Sequence, residues 1–215
     1  MQNVGNNLVK GGMHRVSLAL AEDLRAHNGE IRTNALVDKI LGDANRATGV
    51  RLTNGEEISA DELIVSNIDP GHLIIDLLGP EMVGADIVNA MKRYEWGDSV
   101  FVMFVALEAP VNYKTGSAAR QSAHVHLTEP SLDFFARVYL QCRGGLLPAA
   151  PMIVSWNDSA IDPSRAPTGK ALMKFVVLSV PYVITGDATG KIPARTWDEA
   201  REPYADYLID LITDN

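Results

Sequence analysis

The chain of 215 residues lacks most of the motifs from which a self-contained active site is recognised. It has one cysteine, Cys142, which excludes an internal disulfide and the multi-cysteine sites that hold structural zinc or iron–sulfur clusters. It contains neither G-x-G-x-x-G nor G-x-x-x-x-G-K-(S/T), so it has no complete nucleotide-binding fingerprint of its own. Its serines lie outside G-x-S-x-G contexts, and a hydrolase nucleophile is therefore not indicated.

Positive charge and long apolar runs are scarce as well. Lys and Arg number 19 against 27 Asp and Glu, giving a net charge of -8. Without a cluster of basic residues, nucleic acid is not an expected partner. No apolar run approaches the roughly 18 residues that a membrane-spanning helix needs, and residues 1–10 do not read as a signal peptide. The single cysteine is typical of a reducing compartment. We therefore expect a cytoplasmic protein, with association at a membrane surface left open.

The first third of the chain is predicted to be a helix followed by short strands. Apolar residues recur at helical spacing over residues 16–27. Asn54-Gly55 separates two extended segments, and this is the strongest short-range signal for a β-hairpin. The apolar run at residues 63–66 predicts a buried strand.

The remainder of the chain alternates predicted helices and strands. Asp69 is expected to cap a helix that begins near Pro70. Ser99–Leu107 has apolar residues on both of its faces. This pattern predicts a central strand that is covered on both sides. Other predicted elements are strands at His124–Leu127, Met152–Trp156 and Ala171–Val180, and helices at His72–Leu78, residues 81–94, 131–140 and 198–212. The predicted fold class is α+β (mixed α/β), a mixed β-sheet with flanking helices.

Two small groups of residues are weak candidates for a site. Gly11-Gly12 precedes a helix and could bring backbone N–H groups close to a phosphate, although a glycine pair more often makes a turn. His124 and His126 share one face of a strand and could bind a metal with a third ligand, although a solvated strand face is the more common outcome. Taken by themselves, these residues indicate a domain without a self-sufficient active site.

Read in order, a series of short fragments carries more information than each fragment alone. The series is Gly11-Gly12-Met13, Asn28-Gly29-Glu30-Ile31-Arg32-Thr33-Asn34, Val37-Asp38-Lys39-Ile40, Ala47-Thr48-Gly49-Val50-Arg51-Leu52, Asn54-Gly55-Glu56, Ala60-Asp61 and Val65-Ser66-Asn67-Ile68-Asp69-Pro70. It resembles the phytoene desaturase-like (phytoene dehydrogenase-like) family of FAD-dependent oxidoreductases, also called carotenoid or retinol saturase-like. A later segment, residues 162–170, also resembles that family.

The resemblance implies an interior fragment of a longer flavoprotein. Family members hold the FAD pyrophosphate with an N-terminal G-x-G-x-x-G loop and complete the flavin site with a C-terminal segment, and this chain shows neither. Residues 1–69 would be a partial FAD-binding region and residues 70–215 a substrate-binding domain of the FAD/NAD(P)-binding oxidoreductase. FAD is thus expected in the full-length parent, whereas the chain alone is expected to bind it weakly or not at all.

The resemblance also assigns a few cofactor contacts. Val37 would offer its backbone N–H and C=O to the adenine of FAD, which one extended residue can do; it could equally be an ordinary core residue. The segment with Ser66, Asn67 and Asp69 would return towards the cofactor, and it could equally form a turn, since all three are turn formers. No catalytic side chain and no metal ligand is nominated, because the chemistry would reside in the flavin.

The function implied for the parent is oxidation or isomerisation of a small apolar substrate, for which a polyene is one candidate, by hydride transfer to flavin. Ser99–Leu107 and Ala171–Val180 would line part of an apolar tunnel, although burial between layers explains their composition as well. The alternatives are a non-catalytic binding module of the same ancestry and a flavin amine oxidase-like enzyme. Apolar surface exposed on the fragment would favour a homo-oligomer.

Overall fold

The computed structural model describes residues 8–44, 46–114, 116–193 and 195–214. They form helices and mainly antiparallel sheets, so the predicted α+β class is confirmed. The chain divides into two compact units, one formed by residues 23–96 and the other by residues 1–22 together with 97–215. Helix α1 (His14–Ala26) carries the chain from one unit into the other. The assignment of FAD binding to residues 1–69 and of substrate binding to 70–215 stays a prediction.

The unit of residues 23–96 contains a three-stranded antiparallel sheet in the order β1-β2-β3. Its strands are β1 (Val37–Asp43), β2 (Arg46–Leu52) and β3 (Glu57–Ser59). The predicted hairpin is confirmed: Gly55 has the positive φ of 88° that a tight turn requires, and the Asn54 side chain accepts a hydrogen bond from the Glu56 N–H at 2.9 Å.

The strand predicted beside this sheet does not form. Residues 63–66 have no strand structure, and the side chains of Leu63 and Val65 are 75% and 82% exposed. The buried strand predicted at 63–66 is therefore wrong. An apolar run becomes a buried strand only where another strand and a second layer cover it, and the described part of this unit supplies neither there.

Three short helices complete this unit. They are a π-helix at His72–Leu78, α2 (Pro80–Val83) and α3 (Ala85–Lys92). Asp69 caps the helical residues that begin at Pro70 and continue into the π-helix, because its Oδ1 accepts a hydrogen bond from the His72 N–H at 2.9 Å. The continuous helix predicted over residues 81–94 is interrupted at Gly84, whose φ of 85° is incompatible with a helix interior.

The other unit is built on a four-stranded antiparallel sheet in the order β4-β8-β7-β5. Its strands are β4 (Ser99–Leu107), β5 (His124–Leu127), β7 (Met152–Trp156) and β8 (Ala171–Val180). The short strands β6 (Leu146–Leu147) and β9 (Gly186–Asp187) pair in parallel, and the helices are α4 (Ser117–Gln121), α5 (Leu132–Arg143), α6 (Asp158–Ile161), a 3-10 turn (Pro163–Arg165) and α7 (Trp197–Asp214). The Ser131 side chain caps α5 by accepting a hydrogen bond from the Phe134 N–H.

Strand β4 lies at the edge of this sheet and is covered on one face only. Met103 is 8% exposed, whereas its neighbour Phe104 on the opposite face is 74% exposed. The prediction of a central, doubly covered strand is therefore wrong for β4. The pattern could not distinguish the two cases, because an edge strand with an uncovered apolar face has the same composition as a buried one.

The core of this unit lies between the sheet and α7. We call the sheet face that carries Met103, Phe175 and Val177 the inner face. These residues belong to one buried cluster with Ala200 and Leu208 of α7. Because α7 packs its apolar stripe onto the inner face, the sheet and the C-terminal helix form the two layers of the unit.

Candidate functional site

A cavity of about 800 Å³ opens on the inner face of the four-stranded sheet. Its apolar lining comes from the strands, the last turns of α7 and neighbouring segments: Val105, Leu107, Val111, Val125, Leu127, Phe134, Ala150, Pro151, Ile153, Met173, Phe175, Ile209, Leu211 and Ile212. This volume is within the range of small-molecule sites, about 300–1,000 Å³, which are mostly apolar with a few placed polar groups.

Side chains that alternate along the two long strands β4 and β8 form one side of the cavity. Val105 pairs with Met173 in the β4–β8 ladder, and because side chains two residues apart share a face, Leu107 and Phe175 lie on the same side. All four line the cavity. The inner faces of these two strands thus contribute to the lining of the cavity, and their role in a substrate tunnel stays a prediction.

One pair of hydroxyl groups stands beside this apolar lining. The Tyr113 hydroxyl lies 3.0 Å from Ser155 Oγ, and Ser155 Oγ donates a hydrogen bond to the Val125 carbonyl oxygen at 3.1 Å. Tyr113 and Val125 line the cavity, and Ser155 is fully buried. Sequence reasoning missed this pair, since Tyr113 lies in an irregular segment and 42 residues separate it from Ser155.

A second polar cluster joins residues 9–11 to the loop before β8 through hydrogen bonds. The Asp162 carboxylate accepts hydrogen bonds from the Gly11 N–H at 2.7 Å and from Arg165 at 3.2 Å. Arg165 also donates to Asp158 at 2.8 Å and to the Val9 carbonyl at 2.9 Å. The Gly11 N–H thus serves a carboxylate of its own chain, which leaves the phosphate-binding role considered for Gly11-Gly12 without support.

Because of these hydrogen bonds, we expect the Asp162 carboxylate to become protonated only at unusually low pH. Bonds from the Ser164 hydroxyl and then the Gly11 N–H hold the pKa of Asp162 at about 2, below the usual value of about 3.9. Because the pKa is lower in the folded state, the ionised carboxylate stabilises the fold at pH values above the ordinary pKa. This stabilisation disappears as the pH falls from about 4 through 2. The chemical shift of the Gly11 amide proton is expected to follow this titration.

The matched variant for that measurement is Asp162→Asn, in which the Gly11 resonance should no longer move between pH 4 and 2. A wild-type transition centred near pH 4 would contradict the prediction, because it would mean that these hydrogen bonds do not favour the ionised carboxylate.

The residues predicted to contact FAD all lie in the unit of residues 23–96. Val37 is the first residue of β1, is partly buried and pairs with Leu52. Ser66 and Asn67 are exposed in a segment without regular structure. One carboxylate oxygen of Asp69 is occupied by the helix-capping bond to His72. The exposed polar side chains of Ser66 and Asn67 suit a hydrogen-bonding role, and the FAD contacts of all four residues stay a prediction.

The metal-binding role considered for His124 and His126 gains no support. The ring of His124 packs against Trp156, with centroids 3.6 Å apart, and within the described ranges no group of three or more His, Cys, Asp or Glu side chains could hold a metal ion. Burial, with the nearby Asp98, raises the pKa of Cys142 to about 11, so its thiol is not poised as a nucleophile.

Among the helices of the described residues, none is both long and apolar enough to span a membrane.

Comparison with known proteins agrees with the resemblance drawn from the sequence. Residues 1–208 match the family described as flavin containing amine oxidoreductase. Over 213 residues the chain is 28% identical to rat (Rattus norvegicus) pyridine nucleotide-disulfide oxidoreductase domain-containing protein 2, covering 95% of this chain and 35% of that protein. It is 30% identical over 173 residues to a 4,4'-diapophytoene desaturase (4,4'-diapolycopene-forming) of Methylomonas sp, covering 80% and 32%.

A third relative is a phytoene desaturase (lycopene-forming) of a Paracoccus species, 34% identical over 184 residues, which cover 83% of this chain and 33% of that protein. The chain therefore spans about a third of the length of the curated relatives it matches. The prediction that it resembles phytoene desaturase-like proteins is confirmed.

Proposed function

The chain belongs to the flavin containing amine oxidoreductase family, and we propose that it supplies the apolar-substrate site of a FAD-dependent oxidoreductase. The parent would oxidise or isomerise a small apolar substrate, with polyenes as the leading class, by hydride transfer to flavin. FAD would accept the hydride, while this chain would bind and orient the substrate. The observation that carries the proposal is the cavity of about 800 Å³ on the inner face of the sheet.

The lining of the cavity favours a hydrocarbon over an amine. An ammonium group removed from water needs a carboxylate partner, and among the described residues that line the cavity Glu129 is the sole carboxylate, itself exposed. An apolar chain, in contrast, gains about 25 cal/mol for each Å² of surface that it buries. The named desaturase relatives support a polyene as the class of substrate.

We also propose that Val37, Ser66, Asn67 and Asp69 contribute to the FAD site of the parent. In this proposal Val37 presents its backbone to the adenine, and the segment from Ser66 to Asp69 supplies polar side chains. The unit that holds all four residues has a sheet and helices of its own, which would keep their backbone in place.

Binding of diphenylhexatriene, a fluorescent triene without hydrogen-bonding groups, tests the cavity. Val105→Trp places a large ring in the cavity and is expected to weaken binding at least tenfold, because it fills the space that the triene would occupy. Binding is measured by titration of the 215-residue chain with the probe, following its fluorescence.

Val102→Trp is the matched control, since Val102 lies on the same strand but on the opposite face, 39% exposed. It should change the affinity less than twofold, and both variants should show the wild-type circular dichroism spectrum. Absence of binding to the wild-type chain, or an equal loss in both variants, would refute the proposed site.

A further inference from the structure

The hydroxyl groups of Tyr113 and Ser155 lie within hydrogen-bond distance of each other beside the cavity on the inner face. Ser155 pairs with Phe175 on one side and with Val125 on the other. Residues directly opposite each other in a ladder share a face of the sheet, so the Ser155 side chain is on the inner face beside two lining residues. Tyr113 lines the cavity itself, with its hydroxyl 3.0 Å from Ser155 Oγ.

Counting protons fixes the direction of the hydrogen bond between them. A hydroxyl group has one proton and two acceptor lone pairs. The Ser155 proton is given to the Val125 carbonyl oxygen, which can only accept. The proton between the two hydroxyl groups must therefore come from Tyr113, and Ser155 Oγ accepts it. The Tyr113 oxygen keeps its lone pairs but has no second proton to donate.

From this we infer that the cavity selects an apolar molecule ending in a hydroxyl group, which donates its proton to the Tyr113 oxygen. The inference rests on the proposed function, namely that the cavity binds an apolar ligand. An ether or carbonyl oxygen at this position would meet the lone pairs of Tyr113 and form no hydrogen bond with Tyr113, because neither group has a proton to give. Tyr113 thus acts as a specificity-determining residue, and Ser155 is a positioning residue that consumes the tyrosine proton.

Two isomeric ligands isolate this effect. 1-Dodecanol and methyl undecyl ether have the same atoms, but only the alcohol can donate a hydrogen bond. Each ligand is titrated as a competitor of bound diphenylhexatriene. The ratio of the affinity for the alcohol to the affinity for the ether is then compared between variants. In Tyr113→Phe the ratio should fall about fivefold, as expected for one net hydrogen bond, through loss of alcohol affinity. Tyr182→Phe is the control, because Tyr182 is 81% exposed, and it should leave the ratio unchanged.

Ser155→Ala provides an independent readout with a different signature. Without the serine oxygen, the Tyr113 proton becomes available to a ligand, so the affinity for the ether should rise while that for the alcohol changes little. The same ratio in wild type and Tyr113→Phe, or an unchanged ether affinity in a folded Ser155→Ala variant, would overturn the inference. If diphenylhexatriene itself fails to bind the wild-type chain, the proposed function fails first, and the two failures are thereby distinguished.

Discussion

Replacing Arg165 by alanine is expected to lower the midpoint of thermal unfolding by roughly 5–10 °C. The Arg165 side chain is 14% exposed and contacts the carboxylates of Asp158 and Asp162, which are 15% and 8% exposed. It also donates a hydrogen bond to the Val9 carbonyl. Removing the guanidinium leaves two shielded carboxylates close together without their cation, and the cost comes mainly from that uncompensated charge.

A nearby surface ion pair provides the control for this measurement. Lys170 contacts Glu108 at 2.8 Å, but the two side chains are 46% and 89% exposed. Lys170→Ala should therefore shift the midpoint by no more than about 2 °C. Arg165→Lys should fall between the two, because an ammonium retains the charge but cannot reproduce the fork of the guanidinium. Equal shifts for Arg165→Ala and Lys170→Ala would show that the partly buried cluster stabilises the fold no more than an exposed ion pair does.

Features that local chemistry determines could be predicted from the sequence. The hairpin at Asn54-Gly55 follows from the backbone angles that those two residues favour. Ser131 and Asp69 cap their helices because short polar side chains reach the free N–H groups of a first turn. In each case the deciding partner is within three residues along the chain, so the sequence contains all the information required.

Burial could not be predicted in the same way, because it depends on elements distant in sequence. Helix α1 has the expected apolar stripe, yet none of its residues is buried. Val65 and Phe104 have the composition of core residues, yet they are 82% and 74% exposed. A pattern of apolar residues shows that a surface is suited to burial, and only the fold shows which surfaces are covered.

The polar contacts of the site are the least predictable part. The bond from Gly11 to Asp162 joins residues 151 positions apart, and the bond between Tyr113 and Ser155 spans 42. Neither pair belongs to a motif with fixed spacing. Asp162 in a segment with Pro163 and Ser164 is typical of a turn, and nothing in that pattern indicates a partly buried arginine partner.

Two substitutions in α7 are expected to have very different effects if the cavity is empty space beside a tightly packed core. Leu208 is fully buried and belongs to the core cluster on the inner face. Leu208→Ala should lower the free energy of unfolding by about 3 kcal/mol, since it removes packed atoms and leaves a new void. Ile212 lines the existing cavity, so Ile212→Ala should cost only about 1 kcal/mol, because its side chain already lacks neighbours on one side.

Urea denaturation of both variants measures this difference, and a saturating apolar ligand adds a second comparison. Diphenylhexatriene should raise the free energy of unfolding of the wild type, since a ligand that binds only the folded state stabilises it. The gain should be smaller in Ile212→Ala, where one wall of the site is lost, than in Leu208→Ala, where the lining is retained. Equal destabilisation by the two substitutions, with no effect of the ligand, would mean that the space beside Ile212 is closed in solution, and the inner face would then offer no site for an apolar substrate.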